Sequence, residues 1–196
     1  MTVPEAPSEP WVHPTATVDA GAIVLPGARI WHHVHVMAGA RIGRGVMLGH
    51  GCFVGRGVRI GDRTRIQNHV SVFEGVEIEE DVFVGPGVVF TNVLRPRAFL
   101  KQPYQRTFVH RGATLGAHAT ILPGIEIGEY AFVGAATFVR KSVPAHALIV
   151  GNPGEIIGWV DTRGERVDVD PRLTAPLAAG EHVPKIPQGR AREGAE

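Results

Sequence analysis

The sequence predicts an all-β chain wound into a parallel β-helix of hexapeptide repeats, and three observations predict this fold. Every sixth residue over two long stretches is aliphatic or aromatic, a period that neither an α-helix nor an ordinary strand produces. A small or branched residue recurs two positions before each ladder residue, and glycine often follows it. Such a period is typical of supersecondary units that bury a core only by stacking. The ladder residues are Val12, Val18, Val24, Ile30, Val36, Ile42, Leu48, Val54, Ile60, Ile66, Val72, Ile78, Val84, Phe90, Val109, Leu115, Ile121, Ile127, Val133 and Val139.

Each hexapeptide accounts for one face of a coil. The ladder residue and the small residue before it point inward, as with Ile42 and Ala40, and a glycine such as Gly43 permits the tight corner that follows. Three faces make a coil of 18 residues, so the ladder predicts roughly six to seven coils. Residues 18 apart therefore occupy the same corner of neighbouring coils.

The repeat also sets the predicted domain boundaries. Residues 1–10 are expected to form a loose N-terminal leader, and residues 11–160 the β-helix domain. Residues 161–196 lose the period and mix both charges with four prolines, which predicts an extended or partly disordered tail.

The ladder is interrupted once, by a loop inserted at 91–108. A long loop that projects from a rigid solenoid is a common place for binding residues, so we expect the loop to belong to the functional site. Its cationic residues are Arg95, Arg97, Lys101 and Arg106.

Composition excludes several classes of function. The net charge is +1 with no run of basic residues, so no nucleic-acid partner is expected. No apolar run is long enough to span a membrane, and the first residues lack the pattern of a signal peptide, which favours a cytoplasmic protein. The single cysteine, Cys52, occupies a small inward slot and is interpreted as core filler.

Five stretches carry a resemblance to a known family. The ladder resembles that of the left-handed β-helix acyltransferases, and the left-handedness is taken from that resemblance. The stretches resemble the sugar-nucleotide N-acetyltransferases typified by UDP-2-acetamido-3-amino-2,3-dideoxyglucuronate N-acetyltransferase. They are RIWHHVHVMAGARIG (29–43), RIQNHVSVFEG (65–75), DVFVGPGVVFTNVLRPRA (81–98), RGATLGAHATILPGIEIGEYAFVGA (111–135) and VGNPGEIIGW (150–159).

The resemblance implies a reaction and an assembly. Acetyl would pass from acetyl-CoA to the 3-amino group of a UDP- or dTDP-linked amino sugar, for surface-polysaccharide (lipopolysaccharide) synthesis. The enzyme would be a cytoplasmic homotrimer with active sites between subunits, and no metal is expected.

The same resemblance carries over to site residues. Asn92, after Thr91, matches the asparagine beside the acceptor amine, and Arg97, Gln67 and Asn68 fall on positions near the nucleotide sugar. The residues that match those lining the CoA arm are Gly116, Gly134, Ala135, Gly151, Asn152 and Pro153.

Further candidates come from the residues themselves. His69 follows Gln67 and Asn68, and histidine is the side chain that most often serves as a general base at neutral pH. Arg140 and Lys141 have the charge to meet the CoA phosphates. Trp31 could stack on a nucleobase or pack at the trimer seam.

The sequence departs from the family pattern at several positions, and alternatives stay open. The family has a second asparagine where this chain has His69, and commonly a glutamine at His50. The rival function is a γ-class carbonic anhydrase-like zinc enzyme using His33, His69 and Glu74. A non-catalytic trimeric scaffold is the third possibility.

Overall fold

Three parallel β-sheets form the faces of a prism, and each coil adds one short strand to each face. The structure is a computed structural model in which residues 9–173 are described. The rest of the predicted leader and tail, 1–8 and 174–196, lies outside the described residues.

Sheet 1 has ten strands and sheets 2 and 3 have seven and six. Sheet 1 contains β1 (Trp11–Val12), β4 (Arg29–Ile30), β7 (Met47–Leu48), β10 (Arg65–Ile66), β13 (Phe83–Val84), β16 (Thr114–Leu115), β19 (Phe132–Val133), β21 (Ala147–Val150), β22 (Glu155–Val160) and β23 (Arg166–Val167). Sheet 2 contains β2 (Thr17–Val18), β5 (His35–Val36), β8 (Phe53–Val54), β11 (Ser71–Val72), β14 (Val89–Phe90), β17 (Thr120–Ile121) and β20 (Phe138–Val139). Sheet 3 contains β3 (Ile23–Val24), β6 (Arg41–Ile42), β9 (Arg59–Ile60), β12 (Val76–Ile78), β15 (Thr107–Val109) and β18 (Glu126–Ile127). A single 3-10 turn, Pro171–Leu173, ends the described chain.

The ladder residues form the core, as the sequence predicts. Seventeen of the twenty are buried. The three exceptions, Val12, Val18 and Val24, belong to the first coil, and Val12 is 39% exposed. These side chains lack cover because no further coil lies beneath them among the described residues. Cys52 is buried at 2% exposure, which confirms it as core filler.

The prism has about eight turns, more than the predicted six to seven. The extra turn is built by residues 143–150, where the six-residue ladder has lapsed: Val143 bridges to Ile127, and β21 adds a parallel strand beside β19. The fold is otherwise the predicted β-helix, and the stacked parallel coils are consistent with the left-handed form.

An antiparallel ending follows the last turn. β22 folds back on β21, and β23 pairs antiparallel with β22. The Arg172 guanidinium lies 4.6 Å from the ring centroid of Trp159, and the buried carboxylate of Asp170 pairs with Arg172. Residues 161–173 of the predicted tail are therefore packed against the end of the prism.

The insertion leaves the register of the coils unbroken. Val76, Glu77 and Ile78 pair directly with Thr107, Phe108 and Val109 across it. Because β15 begins at Thr107, the projecting segment is 91–106.

Three edges join the sheets, and each has its own side-chain chemistry. The ring edge joins sheet 1 to sheet 2 through residues 13–16, 31–34, 49–52, 67–70, 85–88, 116–119 and 134–137, and the turn 151–154 between β21 and β22 lies above its last corner. The loop edge joins sheet 2 to sheet 3 through 19–22, 37–40, 55–58, 73–75, 91–106, 122–125 and 140–142. The ion-pair edge joins sheet 3 back to sheet 1 through 25–28, 43–46, 61–64, 79–82, 110–113, 128–131 and 144–146.

Candidate active site

Asn92 stands at the start of the insertion on the loop edge, with its amide held in one orientation. Its Nδ2 donates to the backbone carbonyl of Glu74, 3.0 Å away in the coil below. Its own backbone carbonyl accepts from the N–H of Gln105 at 2.9 Å, which closes the base of the loop. The preceding residue, Thr91, is itself anchored, because its hydroxyl donates to the backbone carbonyl of Ile121 at 3.0 Å. The amide oxygen of Asn92 is thus left to accept a hydrogen bond from a ligand.

The loop above Asn92 is cationic and carries no acidic residue from 91 to 106. Arg95, Arg97 and Lys101 form no ion pair with any residue of the described chain. Arg97 donates through Nη1 to the carbonyl of Pro96 at 2.9 Å and otherwise faces solvent. Arg106 is different, because it pairs with Glu77. Three cations of the loop are therefore free to meet an anionic ligand.

Gln67 and Asn68 lie on the ring edge, and both have structural work there. The backbone carbonyl of Gln67 accepts a hydrogen bond from the Cys52 thiol at 3.0 Å. The Asn68 Oδ1 accepts from the backbone N–H of His50 at 2.9 Å, so it ties one coil to the next. The amide N–H groups of Asn68 remain exposed for a ligand.

His69 is an exposed corner residue with a positive φ of 59°. Its ring contacts that of His50, with centroids 5.0 Å apart, and His50 in turn contacts His33 at 5.5 Å. His32, His50 and Asn68, which are 18 residues apart, share one corner of successive coils, with the rings of His32 and His50 6.4 Å apart. Histidine rings thus stack through successive coils of this edge.

The two predicted catalytic residues lie on opposite edges of sheet 2. β11 and β14 are neighbours, with Ser71 opposite Val89. His69 precedes Ser71 and Asn92 follows Val89, so the strand direction separates them by on the order of 15 Å. One chain therefore does not bring them together, and both would act on one substrate only across a subunit boundary.

The predicted CoA-side glycine, alanine and proline residues gather on the ring edge of the last turns. Gly116 packs closely, because an added Cβ would lie 2.4 Å from Ala135 N. Gly134 and Ala135 follow above it on the same edge, and Gly151, Asn152 and Pro153 belong to the turn between β21 and β22 above that edge. Arg140 and Lys141 lie instead on the loop edge, where they line a pocket of about 140 Å³ with Gly154 and Ile156.

Two titratable groupings were missed from the sequence. His35 Nε2 lies 3.0 Å from Asp19 Oδ1 on the outside of sheet 2, and this contact lowers the pKa of Asp19. His110 lies between Glu79 and Glu126 where sheet 3 meets the ion-pair edge. Both His35–Asp19 and His110–Glu126 are 16 residues apart, a spacing that joins the residue after one ladder position to the residue before the ladder position a coil later. That spacing is the signal that could have found them.

The rival zinc set is not assembled within one chain. Glu74 lies on the loop edge, where its carbonyl holds Asn92, whereas His33 and His69 lie on the ring edge. Over residues 9–173, no three histidine, cysteine or carboxylate side chains are grouped so that they could hold a metal ion. The same part of the chain contains no helix with the length and hydropathy to cross a membrane.

Two stretches of the chain match known repeat families. Residues 39–73 match the bacterial transferase hexapeptide (six repeats), and residues 111–141 match the hexapeptide repeat of succinyl-transferase.

Curated relatives match over shorter segments. A dTDP-3-amino-3,6-dideoxy-alpha-D-galactopyranose 3-N-acetyltransferase from Aneurinibacillus thermoaerophilus is 46% identical over 59 residues, which are 30% of this chain and 31% of the relative. Serine acetyltransferase 4 from Arabidopsis thaliana is 46% identical over 63 residues, 32% of this chain and 16% of the relative. The chain spans about a third or less of the length of these relatives.

Solved structures share the fold. A mutant form of GDP-perosamine N-acetyl transferase from Caulobacter crescentus, in complex with CoA and GDP-perosamine, has a TM-score of 0.54 at 21% identity, over 78% of this chain and 58% of that chain. A hexapeptide transferase family protein from Anaplasma phagocytophilum has a TM-score of 0.54 at 17% identity, over 79% of this chain and 85% of that chain. Together with the stacked six-residue ladder, these findings show a β-helix fold in which residues 39–73 and 111–141 are hexapeptide repeats of the kind found in bacterial transferases.

Proposed function

We propose that the chain is an N-acetyltransferase that moves acetyl from acetyl-CoA to the 3-amino group of a UDP- or dTDP-linked amino sugar. The observation that carries the proposal is Asn92, whose amide oxygen is free beneath a loop with three unpaired cations. The matched dTDP-3-amino sugar 3-N-acetyltransferase and the CoA complexes of related folds support the same chemistry. By the family resemblance, the product would feed surface-polysaccharide synthesis in the cytoplasm.

Asn92 would position the acceptor amine. Its Oδ1 accepts an N–H of the amine, while Nδ2 stays bonded to Glu74 O, so the nitrogen lone pair is aimed away from the amide. An asparagine is no base, so the amine must arrive deprotonated or lose its proton to another group. Acetyl-CoA supplies an activated thioester, in which the C–S bond breaks as the C–N bond forms and the sulfur can take the proton.

The predicted subsites divide between the edges. Arg97 would meet an anionic group of the acceptor from the loop edge of one subunit, and Gln67, Asn68 and Trp31 would meet the acceptor from the ring edge of a neighbouring subunit. Arg140 and Lys141 would meet the phosphates of CoA, while Gly116, Gly134, Ala135 and Gly151–Pro153 would line its arm.

The predicted homotrimer is supported by where these residues lie. Asn92 and His69 need a second chain to share one substrate, and sheet 2 between them is suited to subunit packing. Its outward side chains carry no permanent charge, unlike those of sheets 1 and 3, which include several arginines. They are Thr17, His35, Phe53, Ser71, Val89, Thr120 and Phe138.

The test is a substrate panel read by thiol release. Acetyl-CoA is offered with UDP- and dTDP-linked 3-amino sugars, with and without a carboxylate on the sugar. We expect thiol release with at least one acceptor, and Asn92→Ala lowers kcat by more than about tenfold because one orienting contact is lost. The variant should sediment as the wild-type assembly does. Unchanged turnover would remove Asn92 from the mechanism, and no release from any acceptor would favour the scaffold.

His69 is tested separately as a base. His69→Asn introduces the residue that the family pattern has there, and we expect activity to remain within about threefold if the amine arrives deprotonated. A collapse of kcat with loss of its pH dependence would make His69 the base.

A further inference from the structure

Seven aromatic and imidazole rings form a continuous strip along the ring edge of the first four turns. Centroids are 5.3 Å apart for Trp11 and Trp31 and 3.6 Å apart for His13 and His32. The strip continues through the histidine contacts already described. With one coil every ~4.8 Å, it is on the order of 15 Å long. Its members are Trp11, His13, Trp31, His32, His33, His50 and His69.

The strip is exposed and has no carboxylate of its own. Trp11 and Trp31 are 46% and 37% exposed, although large rings are usually covered. None of its histidines pairs with an acidic residue of the described chain, and only His13 has a side-chain partner, the Thr15 hydroxyl. The rings touch one another and leave their outer faces to a ligand.

Two unpaired arginines flank the strip. Arg29 and Arg65 point outward from sheet 1 immediately before the edge, and Arg29 lies beside Trp11 in the sheet register. Neither forms an ion pair among residues 9–173, whereas Arg63, two positions before Arg65, is bound to Asp81 through both nitrogens at 2.6 Å. Cations and flat rings therefore occur together without an internal partner.

We propose that this strip binds the nucleoside diphosphate part of the acceptor. The heteroaromatic base stacks on Trp31 and the neighbouring rings, since stacking accepts any base. The diphosphate meets Arg29 and Arg65, whose planar guanidinium groups suit phosphate oxygens. The inference rests on the proposed function and deepens it, because it assigns the nucleotide of the acceptor to the first four turns and to the edge opposite Asn92.

Tryptophan fluorescence tests the proposal on the full-length protein. The chain has three tryptophans, and the third, Trp159, is held under Arg172 at the far end of the prism. A Trp159→Phe background therefore reports on the strip. We expect UDP, dTDP or GDP to quench its emission saturably, and inorganic pyrophosphate to compete without quenching.

Matched variants locate the contact. Trp31→Leu should weaken nucleotide binding by about tenfold, and Trp31→Phe, which keeps a ring, should stay within about threefold of wild type. Arg65→Gln should weaken binding several-fold, whereas Arg41→Gln, an outward arginine of sheet 3, should leave it unchanged.

The outcomes separate this inference from the proposed function. Nucleotide binding without thiol release keeps the strip as a nucleotide site and overturns the transferase. Thiol release with a KM unaffected by Trp31→Leu keeps the transferase and overturns the strip. The strip is also overturned by absence of saturable quenching, or by loss of the oligomer in Trp31→Leu, which would make the rings a subunit contact.

Discussion

The ion-pair edge and the ring edge are built on the same backbone corner but carry opposite side-chain chemistry. On the ion-pair edge, Arg63 pairs with Asp81 and Arg111 with Glu129, each 18 residues apart, so charges are matched from coil to coil. On the ring edge, histidine and tryptophan rings contact one another, and no acidic residue of the described chain forms an ion pair with these histidines.

One contact common to both edges shows what the fold requires. Asp62 Oδ1 accepts from Arg44 N at 2.7 Å on the ion-pair edge, and Asn68 Oδ1 accepts from His50 N at 2.9 Å on the ring edge. A side-chain oxygen at this corner satisfies a backbone N–H of the coil below. The fold requires only the accepting oxygen, which either an asparagine or an aspartate can supply. We therefore attribute the amide of Asn68 to function.

Acidification affects the two edges in opposite directions. Partial desolvation lowers the pKa of His110, but hydrogen bonds to Glu79 and Glu126 outweigh it and the pKa is raised. Loss of solvent contact, followed by repulsion from His32 and His33, lowers the pKa of His13.

The largest expected effect is the loss of stability from a charged substitution in the core that both edges enclose. Ile66 is fully buried in sheet 1, and Ile66→Asp would place an unpaired carboxylate there at a cost of several kcal/mol. We expect loss of the cooperative melting transition measured by circular dichroism. Arg59→Asp, an outward change on β9, is the control and should melt close to wild type. A normally folded Ile66→Asp protein would contradict the inward assignment of the ladder.

An exchange of the two corner residues sharpens the comparison. Asn68→Asp and Asp62→Asn both keep the accepting oxygen, so each should change the free energy of unfolding by no more than about 0.5 kcal/mol. Asn68→Asp also removes the N–H donors proposed to face the acceptor, so its KM should rise several-fold, as expected for one lost hydrogen bond. Asp62→Asn should leave KM unchanged. Equal kinetic effects from both changes would mean that the edges do not differ in function.

The smallest expected effect concerns pH. Because the folded-state pKa of His110 is raised, its stabilisation is present below the ordinary histidine value and is lost as pH rises through the raised pKa. His110→Gln should therefore lower the unfolding free energy at about pH 6 by about 0.2–1 kcal/mol, and by less at about pH 8.

The ring edge supplies the opposite sign. Because the folded-state pKa of His13 is lowered, the folded state loses stability as pH falls through the ordinary histidine value. His13→Gln should remove part of that loss, so it should be relatively more stable at about pH 6 than at about pH 8. Thermal melts of both variants across this range check the signs, and parallel profiles would contradict the contrast between the edges.

Much of this prism could be predicted because its repeat is strict. From Ile30 to Val139 every ladder residue is buried, and the 18-residue interval placed Asn68 at the same corner as His50. The eighth turn escaped prediction because Val143 and Ile149 continue the core at irregular spacing. Local periodicity cannot find a strand whose place is set by the strand beside it.

The candidate site was predicted residue by residue, but its arrangement was not. The sequence does not reveal that the side-chain oxygen of Asn68 accepts a backbone N–H. Nor does it reveal that the backbone carbonyl of Glu74 orients the Asn92 amide. Both are hydrogen bonds between coils and depend on corner geometry. The separation of His69 from Asn92 likewise requires the assignment of each corner to an edge.

The insertion is a detachable part of the molecule. Asn92 O and Gln105 N are bonded at 2.9 Å, and the coils on either side keep their register as if the intervening residues were absent. Closing such a loop costs little more as it lengthens. Loops of other lengths and charges could therefore be inserted between Asn92 and Gln105 while the prism stays intact. Acceptor preference can then change without the addition of coils.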